Sequence, residues 1–297
     1  MKASKIKETR GDRIIDVVNV CLLGAVLITA LYPLLYVTSA SLSDPMEVLK
    51  GNLVLLPRGF NTEAYREIFK SKSITTGYVN TIRYTFFGVL TNLCMTVACA
   101  YPLSQKDLYG RNVLTLVFAF TMFFNGGLVP TYLIVRSLGL INSMWALILP
   151  GSISMWNMII MRTFFSNNIP YELHESAYID GCSDIRMLTY IVLPLSAPIL
   201  AVMVVFYGVS HWNSYFSALV YLTERQKYPL QLVLREILIT DQAALASGDS
   251  QSVYDMMMMA EKMKYAVIVV ASVPVLMLYP FAQRYFVKGV MIGAIKG

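Results

Sequence analysis

Charge is scarce in this sequence: 14% of its 297 residues are Asp, Glu, Lys or Arg, against roughly 25% in an ordinary soluble domain. So few charged side chains cannot coat a globule in water, which excludes a plain soluble enzyme and makes lipid part of the solvent. Histidine occurs twice, as His174 and His211. The two are far apart, without Cys or acidic neighbours at ligand spacing, so they make no metal site. Four cysteines, Cys21, Cys94, Cys99 and Cys182, form no C-x-x-C pair; they read as small apolar packing residues, not as a disulfide or zinc framework. No G-x-x-x-x-G-K-[ST] loop is present to cradle phosphates. Ionisable residues do not run through the apolar stretches, which argues against a proton- or sodium-coupled carrier. The excess of 24 basic over 18 acidic residues forms no stripe, so no nucleic acid partner is expected.

What is present is long uncharged sequence. Six gaps between charges, 17–43, 84–105, 112–135, 137–161, 187–223 and 265–283, run for 19 to 37 residues each. A spanning helix needs roughly 20 apolar residues, so the spacing predicts an all-α polytopic membrane protein with six transmembrane helices. Lys2, Lys5, Lys7, Arg10 and Arg13 precede the first gap. That short basic arm predicts a cytoplasmic N-terminus, and six crossings return the C-terminus to the same side. The first apolar run is too long for a signal-peptide core, so it reads as a retained span. The organisation expected is a cytoplasmic arm (1–13), a first transmembrane helix (14–43), an extracytoplasmic segment (44–78), a core of five further helices (79–286) and a cytoplasmic tail (287–297). The core includes a cytoplasmic loop (163–194) and an extracytoplasmic loop (222–263).

The loop 163–194 is too long for a turn and predicts two short helices. Pro170 suits a first helical position, Gly181 the left-handed residue that ends a helix, and Ser183 the cap of the next one. Glu172, Glu175, Asp180 and Asp184 make it acidic, against the usual basic trend of inside loops. It reads either as a solvated loop or as a docking surface. Its spacing resembles the EAA loop of ABC importer permeases: Glu175-Ser176-Ala177, three residues, Gly181, nine residues, then Ile191-Val192-Leu193-Pro194. Only Ser176 departs, standing where the family has Ala.

The stretch His211-Trp212-Asn213-Ser214-Tyr215-Phe216-Ser217-Ala218-Leu219 and the tail from Phe286 to Gly297 look like the carbohydrate branch of that family, similar to the smaller maltose-type permease subunit. Phe124-Asn125-Gly126-Gly127-Leu128-Val129-Pro130 resembles a subgroup associated with plant cell-wall oligosaccharides, pectin fragments among them. The resemblance implies a type I ABC importer permease fold in a prokaryotic plasma membrane, with a coupling helix formed by Glu175, Ser176, Ala177, Asp180 and Gly181. It implies no cofactor in this chain, ATP and Mg being bound by a partner ATPase. The partners implied are a homologous second permease subunit, two ATPase subunits, an extracytoplasmic solute-binding protein that delivers the oligosaccharide, and the lipid bilayer.

Sugars present hydroxyls and flat C–H faces, which aromatic rings and amides suit. Tyr207, Trp212, Asn213 and Tyr215 are therefore candidates for the substrate pathway, with Trp212 and Tyr215 near enough in sequence to share a helix face. Phe124, Asn125, Asn80 and Tyr84 are further candidates. The same aromatics could serve only as interfacial anchors. The alternatives to an oligosaccharide importer are a permease of this type for another solute, a secondary carrier or channel, and a membrane-embedded enzyme. A carrier should carry inverted repeats and mid-membrane charge, and an enzyme a catalytic constellation; the sequence offers none of these. Gly126-Gly127, inside an apolar stretch, reads as a hinge or kink.

Overall fold

A computed structural model of the chain describes residues 10–244, 263–280 and 283. The regular elements among them are helices. In chain order they are α1 (Arg10–Ser41), α2 (Pro45–Leu49), α3 (Glu63–Lys70), α4 (Lys72–Ser104), α5 (Arg111–Phe123), α6 (Leu128–Ser137), α7 (Trp145–Ile148), α8 (Met155–Asn168), α9 (Tyr171–Ile179), α10 (Asp184–Met187), α11 (Leu193–Leu195), α12 (Ala197–Trp212), α13 (Phe216–Tyr221) and α14 (Leu230–Ala244). A last one, α15, runs over Met263–Pro280.

Three of the uncharged stretches become single helices long and apolar enough to cross a membrane: α1, α4 and α15. Two others become bent pairs. α5 and α6 meet at 111°, and the segment Asp184–Leu195 meets α12 at 82°. By length and composition the described residues therefore hold three spans, or up to five if each bent pair crosses once. The stretch 137–161 is not one helix. It passes through a turn, α7 and the 3-10 turn Leu149–Gly151 before Ser154 caps α8. Pro150, which lacks a backbone N–H, and Gly151 stand at that break and stop the chain from continuing as one rod.

The first break has a local cause as well. Asn125 Oδ1 accepts from Gly127 N–H at 3.0 Å, and Gly127 sits at φ +81°. A residue with a Cβ is disfavoured there. The kink expected at Gly126-Gly127 is thus a sharp turn between two helices.

The chain folds into two compact units, whose boundaries fall after Lys70, within α14 and within α15. In the first unit, α1 is exposed and apolar around most of its circumference, the pattern of a helix whose solvent is lipid or another protein. Its end is pinned by Ala40, Val48 and Leu53, with Tyr36 and Tyr265 against them. Asp44 caps α2 by accepting from Met46 N–H at 2.8 Å.

The second unit is built on α4, which packs along α12 and α8. Its buried stripe is Ile74, Gly77, Thr81, Tyr84, Gly88, Asn92, Thr96, Ala100 and Leu103, spaced three or four apart as one helix face requires. Most of these residues are small or polar, which lets backbones approach where lipid gives no hydrophobic drive between helices. The polar members are satisfied across the interface. Thr96 Oγ1 and the Tyr207 hydroxyl are 2.7 Å apart, and the Asn92 amide donates to Gly151 O at 3.1 Å. Gly77 lies under Leu230, where an added Cβ would stand 3.2 Å from Leu230 Cα. Next to it Leu230 N–H donates to Thr81 Oγ1 at 2.8 Å, fixing the start of α14 on α4.

Candidate functional site

The loop 163–194 forms the two helices its sequence predicts. Pro170 is the residue before the first helical one, Tyr171, and α9 then runs to Ile179. The helix ends in a Schellman pattern. Cys182 N–H donates to Ala177 O at 2.9 Å and Gly181 N–H to Tyr178 O at 3.0 Å, with Gly181 at φ +71°. That left-handed position satisfies the last carbonyls and is one that glycine alone occupies without strain. Ser183 caps α10 through its backbone, Met187 N–H donating to Ser183 O at 2.8 Å, and not through its hydroxyl. The family-like segment Ile191–Pro194 continues as a π-helical turn over Leu188–Val192, which leads into α11.

One face of α9 belongs to the core and the other does not. Ala177 is buried in a cluster that includes Tyr101 and Leu103 of α4, Phe165 of α8, Met187 of α10 and Met203 of α12. Glu175, Ser176, Asp180 and Gly181 are exposed. So are three large apolar residues: Tyr178, Ile179 and Ile185 are 81%, 83% and 76% exposed. Unlike α1, this segment is not a long apolar helix, and its exposed apolar residues alternate with carboxylates. Exposed apolar residues set among carboxylates are a feature that protein contact surfaces share. The signal available in the sequence was Ile179 and Ile185 flanking Asp180 and Asp184.

Beside α9 lies an open cavity of about 760 Å³, lined by Tyr101, Asp107 and Tyr109 and by His174, Glu175 and Asp184. The loop 104–111 and the loop 163–194 thus line one cavity. His174 is held between the rings of Tyr101 and Tyr171, each 6.2 Å away. Burial pushes the His174 imidazole below its ordinary pKa, with Asp107 and Asp184 pulling in the opposite direction. Lys106 Nζ stands 5.2 Å from the Tyr171 ring centre, so a cation–π contact closes the start of α9. At the other end of α4's unit, the turn around Asn142 meets the start of the 222–263 loop. Asn142, at φ 62°, accepts at Oδ1 from the N–H groups of Thr223 and Glu224 at 3.3 and 3.2 Å, and its amide donates to the Glu224 carboxylate.

The eight substrate-pathway candidates do not form a single cluster. Asn80 donates to Gln226 O and Tyr228 O at 2.8 and 3.1 Å, and the Tyr84 hydroxyl donates to Lys227 O at 2.8 Å. Their polar atoms hold the backbone of the 225–228 turn against α4. Tyr207 is buried with its hydroxyl on Thr96. Trp212 is buried, its indole N–H donating to Ala271 O at 2.9 Å while its ring meets Tyr78 edge-on. Asn213 and Tyr215 are exposed. Trp212 and Tyr215 do not share a helix face: α12 ends at Trp212, and α13 begins only after Tyr215. Asn213 N–H turns back to Val209 O at 3.1 Å, and Ser214 N–H to His211 O at 3.2 Å, the chain-stopping behaviour expected of an Asn-Ser pair. Phe124 and Asn125 lie at the break between α5 and α6. There Phe124 stacks on Phe120, the ring centres 4.3 Å apart.

Known proteins place this geometry in context. The family model described as "binding-protein-dependent transport system inner membrane component" matches residues 73–292, taking in α4, the cavity and the loop with α9. The chain is 39% identical to the protein LplC of Bacillus subtilis over 97% of both chains. It is 40% identical to the polygalacturonan/rhamnogalacturonan transport system permease protein YtcP of the same organism, over 96% of this chain and 99% of that one. Among solved structures, a chain from a bacterial ABC transporter involved in the import of the acidic polysaccharide alginate superposes with a TM-score of 0.85 at 35% identity, covering 95% of this chain and 100% of the other.

Proposed function

The chain belongs to the inner membrane components of binding-protein-dependent transport systems, a multi-pass membrane transport subunit of the ABC importer type, and on that footing we propose that it forms half of the pathway of an ATP-driven oligosaccharide importer. The observation that carries the proposal is α9. It is a short helix closed by the Gly181 turn, anchored through buried Ala177 to the α4–α8–α12 core, and bare on the face carrying Glu175, Tyr178 and Ile179. A helix held in this way moves with the core as a rigid body, which a loose loop could not do. Glu175, Ser176 and Asp180 supply the polar contacts to an ATPase subunit, while Ala177 and Gly181 set how the helix is held. ATP and Mg are bound by that subunit, and this chain carries no cofactor.

In this reading the membrane is crossed six times, with α8 as the short fourth crossing and both termini in the cytoplasm. A second, homologous permease subunit covers exposed apolar surface that lipid does not. An extracytoplasmic solute-binding protein delivers the oligosaccharide to the end carrying the 222–263 loop. The exposed candidates Asn213, Tyr215, Phe124 and Asn125 touch the solute. Tyr207, Trp212, Asn80 and Tyr84 hold the walls of the path, since their polar atoms are engaged within the chain. Oligosaccharide is favoured over other solutes because one relative is a polygalacturonan/rhamnogalacturonan transport system permease protein and the structural neighbour comes from a transporter involved in alginate import.

The test is uptake of labelled oligosaccharide in cells carrying Glu175→Lys. The expected outcome is loss of uptake with the protein still in the membrane and less ATPase co-isolated. Normal uptake with normal ATPase association would overturn the docking role of α9.

A further inference from the structure

At the end of the second unit opposite the cavity, the basic side chains around the 222–236 segment are arranged unequally. Arg225 is paired with Glu236 at 3.2 Å. Lys227 is paired with Glu224 at 3.1 Å and also donates to Asn142 O at 3.0 Å. Arg235 has no carboxylate within ion-pair distance among the described residues. Its guanidinium stands 5.3 Å from the ring centre of Tyr215 instead. Tyr215 is 43% exposed and lies two residues from exposed Asn213, in the stretch that follows α12.

An arginine stacked on a ring keeps its five N–H donors in the plane of the fork, available at the edge. The stacking orients the group and lowers the entropy lost when an anion binds. The buried residues around it, Val233 and Leu234 on α14 and Ala218 on α13, hold both backbones in place. A guanidinium over an open tyrosine, with no carboxylate partner among the described residues, matches a hexuronic acid residue in two respects. The apolar face of the sugar ring fits the aromatic, and the carboxylate at its edge takes a bidentate pair.

We infer that Arg235 and Tyr215 read the carboxylate of an acidic oligosaccharide, so that the solute class is uronate-containing chains and not neutral ones. This rests on the oligosaccharide-importer reading and narrows it. Tyr215 supplies the surface and orients the arginine, and Arg235 supplies the discrimination. The other two cations of the segment stay engaged with Glu236 and Glu224 and set no preference.

The experiment compares uptake of a trigalacturonate with its fully methyl-esterified form, which has the same backbone without the charge, in cells carrying the intact transporter. Wild type takes up the free acid faster. Arg235→Gln lowers uptake of the acid by about tenfold, the scale of one charge-assisted hydrogen bond, and leaves the ester unchanged. Arg235→Lys keeps part of the preference, and Tyr215→Phe, which retains the ring, keeps all of it. Equal losses for acid and ester in Arg235→Gln, at equal membrane levels of the protein, would overturn the inference while leaving the importer reading intact. An unchanged preference in Arg235→Gln would do the same. Uptake of neither form by wild type would instead overturn the oligosaccharide reading, and this inference with it.

Discussion

His211 Nε2 lies 3.3 Å from Asn92 Oδ1, directly over Gly88, where an added Cβ would stand 2.5 Å from that same nitrogen. The glycine is what admits the imidazole to α4, and Asn92 links it onward to the Gly151 carbonyl at the break before α8. Two polar contacts through Asn92 thus join α4, α12 and the broken stretch. Gly88→Ala must displace the ring or the helix, a crowding worth about 1–3 kcal/mol. We expect Gly88→Ala to lower the detergent-extracted unfolding temperature, and Gly88→Ala with His211→Ala to recover part of it. Equal stability in Gly88→Ala and wild type would show that the close approach has no energetic weight.

Gly181 is the second position where a missing side chain is required. At φ +71° any L-residue is strained, by roughly 1 kcal/mol for alanine. Gly181→Ala should fray the end of α9 and weaken ATPase association, with hydrogen exchange rising at the Gly181 and Cys182 amides. Gly181→Asn, which tolerates the left-handed region better, should recover much of the association.

Asn142 organises the opposite end, and its removal should be felt over a wide stretch of sequence. Asn142→Ala deletes the bonds to Thr223 and Glu224 and places a poorly suited residue at positive φ. Limited proteolysis at 222–228 should speed up in this variant. The contact is also sensitive to acid. Hydrogen bonds from Lys227, and next from Asn142, hold the Glu224 carboxyl below its usual range. A depressed carboxylate contributes stability that is present above its usual pKa and lost as pH falls through the depressed one. Proteolysis of wild type at this loop should therefore accelerate only in acid, below the usual glutamate range, and the acid effect should shrink in Lys227→Met.

His174 responds to acid in the same direction as Glu224. Its pKa is lowered, chiefly by burial between Tyr101 and Tyr171 and against the pull of Asp107 and Asp184. The folded loop thus favours neutral imidazole, and the stability this gives is complete above the usual histidine value and declines as pH falls below it. Hydrogen exchange at α9, corrected for intrinsic rates, should rise on acidification through that range in wild type and not in His174→Phe.

Much of this fold was legible in the charge spacing, because a hydrocarbon core permits long uncharged helices and little else. α1, α4 and α15 follow directly from that rule. The broken stretches were less legible, since an uncharged gap reports apolarity and not continuity. Pro150 and Gly151 divide 137–161 as firmly as Asn125 to Gly127 divide 112–135, yet only the second break was expected. The α9 turn was readable because Gly181 and its spacing from Glu175 have a geometric meaning. The buried seam of α4 was written as mostly small and polar residues three or four apart from Gly77 to Ala100, a pattern obscured by the apolar residues between them. Trp212 and Tyr215 mislead in the other direction: their separation suits one helix, and the Asn213-Ser214 pair ends it. The exposed Tyr178 and Ile179 lie inside the motif itself, where spacing draws the eye to Glu175 and Gly181.

The most direct measurement is photo-cross-linking from α9. A benzoylphenylalanine at position Tyr178, in transporter that still takes up solute, should capture an ATPase subunit, with a second probe at position Leu56 capturing none. Capture of no ATPase from Tyr178 in active transporter would contradict the account of α9 as the docking helix.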